Sequence, residues 1–288
     1  MFYLTTLFRG KWASPHLYMQ QNKISPILYL PHGGGPLPLL GDSGHREMVT
    51  FLQNIRGKLG EPQAILIISA HWEASQPTIQ SAEHPEMLYD YYGFPPETYK
   101  ITYPASGHPA LAKEIGDELD QAGFKPAMDG ERGFDHGVFV PLKLIFPEAD
   151  IPCFQISLIK GLDPAQHIAL GRALNFLREK KVLIVGSGMS FHNMRALMSG
   201  DINENRPDQV FDDWLVKTCC SEGFTPDERD HELINWSQAP QARYCHPREE
   251  HLLPLHVCYG AAGYDSPPAE LVFNKTIMGK KVSAFLWT

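Results

Sequence analysis

The chain has 288 residues, and 43% of them are hydrophobic, which is enough to bury a sizeable core in one large domain or two small ones. Its formal net charge of -8 argues against a dedicated nucleic-acid-binding protein, because such proteins present a basic surface. The longest apolar stretches, such as residues 64–70, have the length of a strand, so no membrane partner is predicted.

Residues 1–22 are predicted to form an N-terminal extension ahead of a single domain at 23–288. The extension begins with a short apolar run that is followed by Arg9 and Lys11, which is the reverse of the charge order in a secretory signal. The five cysteines form no CxxC pair and indicate reduced thiols. Both features predict a cytoplasmic protein.

From residue 24 onward, hydrophobic patterning predicts alternating strands and helices. The predicted strands are 24–30, 64–70, 78–81, 99–103, 152–158, 182–186, 270–273 and 282–286. The predicted helices are 47–59, 109–121, 138–146, 164–180, 211–222 and 249–261. This alternation predicts one α/β domain in which a central, mainly parallel or mixed sheet is flanked by helices on both faces.

Three of the 13 histidines follow predicted strands closely. His32 lies in LPHGGG, His71 in ISAHWE and His192 in VGSGMSFHN. Sites in open α/β sheets lie beyond the carboxyl ends of the strands, so these three side chains are expected to meet at one edge. A single histidine there is more often an ordinary hydrogen-bonded loop residue, but three together favour a site.

Two further histidines are candidates. His136 lies in RGFDHGVF, where Asp135 could orient its ring, and His251 lies in PREEHLLPLH, at the predicted first turn of a helix. The remaining eight are expected to be ordinary surface or structural residues, with His108 and His246, each followed by a proline, as the strongest exceptions: His16, His45, His84, His108, His167, His231, His246 and His256.

Several common catalytic and phosphate-binding motifs are absent from the sequence, and their absence limits the chemistry that this group of histidines could perform. There is no HExxH, no GxSxG and no GxxxxGK[ST]. Imidazoles from separate loops suit Zn, Fe, Ni or Cu rather than Mg or Ca. A phosphate cradle at residues 33–35 stays open, although His32 and Pro36 fit a rigid, ligand-bearing turn better.

An ordered series of motifs resembles a known family. The series is LPHGGGP, SAHWE, YGFPPETYKITYPASGHPALA, GFDHGVFVPL, SGMSFHN and EEHLLPL. From about Pro26 to the C-terminus it resembles the class III extradiol ring-cleavage dioxygenases, and more closely the DOPA 4,5-dioxygenase branch of the LigB-like superfamily. The resemblance implies a catalytic domain at 23–288 that holds non-haem Fe(II) and opens a catechol ring with O2. Zn would also fill such a site in a purified protein.

The resemblance also implies roles for individual residues. His32 and His71 would be metal ligands and His251 the third. His192 would lie beside the metal, as acid–base residue or as an additional ligand, and His136 would bind substrate or oxygen. Distant members use a glutamate as third ligand, so Glu250 is the alternative to His251. Adjacent helical positions point about 100° apart, so the two side chains are not expected to share that place.

Aromatic side chains at 89–94, together with Phe139 and Trp72, are candidates for the wall of a ring-binding pocket. Arg132 or Arg195 could pair with a carboxylate on the substrate. A zinc-dependent hydrolase and a non-catalytic metal-binding member of the same superfamily are the alternative functions. The sequence names neither the catechol, nor the native metal, nor the oligomeric state.

Overall fold

The computed structural model describes residues 24–200 and 204–288, so the predicted extension at 1–22 lies outside the described residues. The strands are β1 Ile27–Pro31, β2 Ala64–Ala74, β3 Thr78–Gln80, β4 Ala127–Asp129, β5 Cys153–Ile159, β6 Val182–Gly188, β7 Glu270–Ile277 and β8 Lys280–Trp287. The α-helices are α1 Arg46–Asn54, α2 Arg56–Leu59, α3 Pro109–Gln121, α4 His136–Ile145, α5 Pro164–Leu174, α6 Met194–Ser199, α7 Pro207–Cys220, α8 Pro226–Ile234, α9 Ala242–Cys245 and α10 Leu253–Ala262.

The strands form one eight-stranded sheet in the order β4-β3-β5-β2-β6-β1-β8-β7. The central pairs β5-β2, β2-β6 and β6-β1 are parallel, whereas β8 runs antiparallel to both β1 and β7. The predicted α/β class with a mixed, mainly parallel centre is therefore confirmed. Strands β1, β5 and β6 are buried at every residue, as expected for strands covered on both faces.

Helices cover opposite faces of this centre. Successive residues of a strand point to opposite faces. At β6, a Cβ on Gly186 would meet the Pro254 carbonyl oxygen of α10, whereas the Ser187 hydroxyl bonds to the Gly137 carbonyl of α4. The prediction of helices on both faces is confirmed. Among the described residues, no helix combines the length and the apolar character that crossing a membrane requires.

Several predicted bounds were wrong. Residues 99–103 do not form a strand; the 3-10 helix Pro96–Lys100, which begins at a proline, takes the first two of these positions, and residues 101–103 have no regular secondary structure. The predicted helix 47–59 is interrupted at Ile55, and the helix 164–180 gives way to a 3-10 turn after Leu174. Three short helices, α6, α8 and α9, were not predicted.

One of these differences affects the site. The predicted helix 249–261 begins only at Leu253, with Pro254 in its first turn. Residues 249–252 form a turn instead, so His251 precedes the helix. Strands β2, β6 and β1 are neighbours in the sheet, so their carboxyl ends lie side by side at one edge of it.

Candidate metal centre

Three histidines converge at the carboxyl ends of the central strands. His32, His71 and His251 each offer one ring nitrogen, and these atoms lie within 4.8 Å of one another. The Nε2 atoms of His32 and His71 are 3.1 Å apart. His32 and His251 are buried, whereas His71 is partly exposed. Residues separated by more than 200 positions in sequence thus form one compact cluster.

The tautomer of His32 is fixed by its neighbours. Its Nδ1 lies 3.0 Å from the Ser187 hydroxyl oxygen, and Ser187 donates its own proton to the carbonyl oxygen of Gly137. Because a serine hydroxyl has only one proton, His32 must donate from Nδ1. Its Nε2 then carries a lone pair that faces the cluster.

The loop after His32 is held by His45, which was predicted to be an ordinary residue in a polar turn. His45 is buried; its Nε2 accepts a hydrogen bond from the Gly34 amide at 3.0 Å, and its Nδ1 lies 2.7 Å from Asp42. Gly33 has a φ of +80°, a conformation that favours glycine. Since His45 already accepts a hydrogen bond from the Gly34 N–H group, that group is not available to bind a phosphate.

His71 lies where β2 is irregular. The pairing of β2 with β5 shifts register between Ile68 and Glu73, and such bulges re-aim side chains. The His71 amide donates to the Ser69 hydroxyl at 3.2 Å, and Ser69 donates to Asp135 at 2.7 Å. Asp135 therefore supports the His71 backbone and does not orient the ring of His136.

His251 is fixed through its carbonyl oxygen and its ring. The carbonyl oxygen accepts hydrogen bonds from the Met189 amide and the Tyr29 hydroxyl, each at 3.0 Å. Its Nδ1 lies 2.9 Å from Oε1 of Glu250. Because residues 249–252 form a turn, the expected helical separation of Glu250 and His251 does not apply. Glu250 contacts the ring of His251 at Nδ1, which leaves Nε2 for a ligand.

His192 contacts both His251 and Glu250. Its ring stacks on that of His251, with centroids 3.3 Å apart and planes 15° from parallel. Its Nδ1 is 3.2 Å from Oε1 of Glu250. The Glu250 carboxylate therefore contacts both histidines at once.

His136, the first residue of α4, flanks the cluster on the His71 side, and their ring centroids are 3.9 Å apart. Its Nδ1 lies 2.8 Å from Oδ1 of Asp90, which also accepts the His136 amide at 3.0 Å. Asp90, which the sequence analysis missed, therefore orients this ring. No local pattern marks Asp90, since it lies among tyrosines 46 positions away from its partner.

The electrostatics of the cluster keep the imidazoles neutral. Burial lowers the pKa of His32 and of His71 well below the usual value, and the neighbouring histidines lower both further. Burial likewise lowers the pKa of His251 to about 4. Burial opposes ionisation of Glu250, but hydrogen bonds from His192 and His251 outweigh it and hold the pKa of that carboxyl well below its usual range.

These properties fit a metal ion. Metal binding requires neutral imidazole with an available lone pair. The second ring nitrogens of His32 and His251 are engaged by Ser187 and Glu250, the type of support that orients metal-ligating histidines. Three imidazole nitrogens suit a transition metal.

The predicted aromatic wall is partly assembled beside His136. Tyr91 lies 6.1 Å from the His136 ring, centroid to centroid, and its ring contacts Tyr89, Phe94 and Phe139. Trp72 instead lies under the guanidinium group of Arg132, at 5.1 Å from the ring centroid.

The two arginines considered for a substrate carboxylate differ in their surroundings. Arg132 is paired with Asp135 at 2.6 Å and is largely buried. Arg195 is exposed on α6 and lines a cavity of about 520 Å³ together with His192, Arg248 and Glu250. Arg195 is therefore the better placed of the two.

The model of the catalytic LigB subunit of aromatic ring-opening dioxygenases matches residues 27–284. The chain belongs to this LigB family. It is 42% identical over 257 residues to a protein of Hapsidospora irregularis named dioxygenase tasH, covering 83% of this chain and 78% of that one. It is 38% identical over 257 residues to 4,5-DOPA dioxygenase extradiol of Beta vulgaris, covering 88% and 92%.

A solved structure has a similar fold. The crystal structure of an uncharacterised Escherichia coli K12 protein superposes with a TM-score of 0.72 at 28% identity, covering 91% of this LigB chain and 99% of that one. The resemblance to extradiol dioxygenases is thus confirmed. The chain is a metal-dependent, extradiol ring-cleaving dioxygenase that acts on a small aromatic substrate and O2.

Proposed function

We propose that this dioxygenase opens the ring of a DOPA-like catechol and that its metal is Fe(II), held by His32, His71 and His251. The observation that carries the proposal is the convergence of these three ring nitrogens within 4.8 Å, flanked by two further histidines. Glu250 is proposed as a partner of His251 rather than as the third ligand, because its Oε1 already contacts the Nδ1 atoms of two histidines.

The choice of iron follows from the reaction. Zn has no redox chemistry, whereas activation of O2 requires a metal that can exchange electrons. Three protein ligands leave positions open for further ligands. When bound, the ion supplies a Lewis acid and an electron donor that bring catechol and O2 together. Zn would compete for the same three imidazoles in a purified protein.

We assign the acid–base role to His192. Because its Nδ1 faces Glu250, its Nε2 is the atom left to exchange protons with a ligand. In this role it takes a proton from a catechol hydroxyl and returns one as the ring opens. General acid–base assistance of this type contributes ~10²–10⁴-fold. The ionised Glu250 stabilises the protonated ring of His192 while that proton is held.

His136 is assigned to binding substrate or oxygen. Its ring lies between His71 and Tyr91, which is the position where the aromatic wall meets the metal centre. The neighbouring tyrosine and phenylalanine rings offer faces on which a catechol ring can pack. The names of the relatives from Beta vulgaris, Portulaca grandiflora and Mirabilis jalapa support a DOPA-like substrate. A cytoplasmic location stays a prediction from the sequence.

A catechol panel tests the proposal. The protein is loaded with Fe(II) anaerobically, its metal content is measured, and DOPA, catechol and protocatechuate are added before air is admitted. We expect a yellow, ring-opened product from DOPA, and none from a Zn-loaded sample. Absence of product from every catechol in protein that holds one iron per chain would contradict the function. Product from the Zn-loaded sample would contradict the choice of iron.

A further inference from the structure

Asp90 contacts two histidines of the site. Its Oδ1 accepts hydrogen bonds from Nδ1 and the backbone amide of His136, at 2.8 and 3.0 Å. Its Oδ2 lies 3.6 Å from Nδ1 of His71. The side chain is only 18% exposed although it belongs to a surface loop, because it points inward. One carboxylate therefore lies behind a proposed metal ligand and a proposed substrate-binding residue.

Glu250 repeats this arrangement on the other side of the cluster. It contacts His251, a proposed ligand, and His192, a proposed acid–base residue, each through Nδ1. Asp90 likewise lies at the Nδ1 atoms of two histidines, within hydrogen-bond distance of His136 at 2.8 Å and farther from His71 at 3.6 Å. Two unrelated segments thus supply the same combination of one carboxylate, one proposed ligand and one flanking histidine. This repetition indicates a shared task rather than an incidental contact.

The loop that carries Asp90 is anchored on both sides of it. The amide of Leu88 donates to the Phe134 carbonyl at 2.8 Å, two residues before His136. The hydroxyls of Tyr89 and Tyr91 donate to backbone carbonyls of Ile101 and Thr98, each at 2.7 Å. The two tyrosines that flank Asp90 are also members of the aromatic wall. Asp90 therefore connects this wall to the histidines.

We propose that Asp90 is a positioning residue that holds His136 in its Nδ1–H tautomer and orients the ring of His71. In this state Nε2 of His136 carries a lone pair and accepts a hydrogen bond from a catechol hydroxyl. The inference deepens the proposed function, on which it rests for the identity of the substrate. Loss of a residue that orients a metal-ligating histidine typically lowers metal affinity 10–100-fold.

The test uses the full chain with Asp90→Ala, the nearly isosteric Asp90→Asn, and Asp163→Asn as matched control. Asp163 caps α5 by accepting the Gln166 amide, and asparagine keeps that cap. The first measurement is ¹⁵N NMR of the histidine rings in metal-free protein at pH 8, with His136 assigned by the signal lost in His136→Gln. The second is Zn²⁺ affinity by competition with a chromophoric chelator.

We expect Asp90→Ala to convert His136 from the Nδ1–H form to a mixture of tautomers and to weaken Zn²⁺ binding 10–100-fold. Asp90→Asn should show smaller changes, because its amide oxygen can still accept from His136, and Asp163→Asn should match the wild type. A wild-type tautomer with Zn²⁺ affinity within twofold in Asp90→Ala would overturn the inference. So would two ions per wild-type chain with one lost in Asp90→Ala, because Asp90 would then be a ligand.

Neither measurement requires turnover. A protein that cleaved no catechol would contradict the proposed function, whereas the tautomer and the metal affinity would still decide the role of Asp90. Circular dichroism and thermal melting of Asp90→Asn identify a variant that has merely lost its fold. A well-folded Asp90→Asn with the expected intermediate changes supports the inference even if Asp90→Ala is unstable.

Discussion

Ser187 has one hydroxyl proton, and the carbonyl oxygen of Gly137 takes it. That single bond decides that the hydroxyl oxygen can only accept from His32, and hence that His32 presents a lone pair at Nε2. For His251 the same result comes from the ionised Glu250. Both proposed ligands are therefore oriented by hydrogen-bond partners that lie outside the proposed ligand set.

Replacing His192 separates acid–base chemistry from metal binding. We expect His192→Ala to keep one metal per chain, because the triad His32, His71 and His251 is intact, and to lose 10²-fold or more in ring cleavage. Metal analysis and the rate of product formation from the same preparation check this. Loss of the metal from His192→Ala would instead identify His192 as a ligand.

Removing a member of the triad should empty the site. His32→Ala and His71→Ala each leave two imidazoles and an unfilled space, so we expect less than a tenth of the wild-type metal content after dialysis. The exposed His84 provides the control, and His84→Ala should retain its metal in full. Full occupancy in either triad variant would contradict the proposed ligand set.

For single residues, the sequence predicted the histidines of the site better than the residues that hydrogen-bond to them. His32 directly follows β1, as predicted, whereas His71 lies within β2, which continues to Ala74 instead of ending at residue 70. The positions of His136 and His251 were predicted from the order of the motifs. Ser187 and Asp90 could not be found, because their roles depend on contacts across 155 and 46 positions. The role of His45 had only a weak signal, an aspartate three residues before it.

Among the elements, β6 is notable for two glycines at its carboxyl end, where neighbouring backbone approaches closely. It ends in Gly-Ser-Gly, and a Cβ on Gly188 would lie 2.1 Å from the carbonyl oxygen of His251. That carbonyl is the point at which the turn carrying His251 is fastened to β6 and to Tyr29. The absence of a side chain at Gly188 thus allows the turn that carries His251 to approach β6.

We therefore expect Gly188→Ala to displace the turn that carries His251. The overpacking should cost about 1–3 kcal/mol in the free energy of unfolding, and metal affinity should fall with it. Urea denaturation of metal-free protein and chelator competition measure the two effects. Gly57→Ala is the control, because a Cβ there meets nothing within 4 Å in helix α2. Wild-type metal affinity in Gly188→Ala would contradict this account.

Elements were predictable where burial dominated the pattern. The continuous apolar runs of β2, β5 and β6 gave strands close to those observed. The two serious errors, at residues 99–103 and at the start of the 249–261 helix, both lie beside prolines. There, backbone restriction and tertiary contacts override a pattern of alternating or periodic apolar residues.

For the molecule as a whole, histidines outside the site make its stability depend on pH. Burial lowers the pKa of His256 to about 4, although its ring bonds to the Leu233 carbonyl at 2.8 Å. The unfolded chain binds a proton near pH 6.5, whereas the folded chain resists it down to about pH 4. Folding stability should thus be fully present above pH 6.5 and decline as the pH falls towards 4.

For His256 alone we expect a loss of about 1–2 kcal/mol in the free energy of unfolding between pH 7.5 and pH 5. His256→Gln removes the titrating group and keeps a donor for the Leu233 carbonyl, so its stability should fall by that much less over the same interval. Urea denaturation of metal-free protein at both pH values measures the difference. His231→Gln, on the exposed side of α8, should keep the wild-type dependence.

The sequence was sufficient to predict the class of the whole fold but not the order of its strands. Alternating elements require a largely parallel sheet, and that expectation was correct. The placement of β8 beside β1, antiparallel to it, depends on pairing between the two ends of the chain. No local pattern encodes such a pairing.

The strands that deliver His32 and His71, β1 and β2, are never hydrogen-bonded to each other, because β6 lies between them. On the ribosome, β6 is made more than a hundred residues after β2, and His251 later still. The first half of the nascent chain therefore has two of the proposed ligands but lacks the strand that lies between them. The three proposed ligands can therefore come together only after residue 251 has been synthesised.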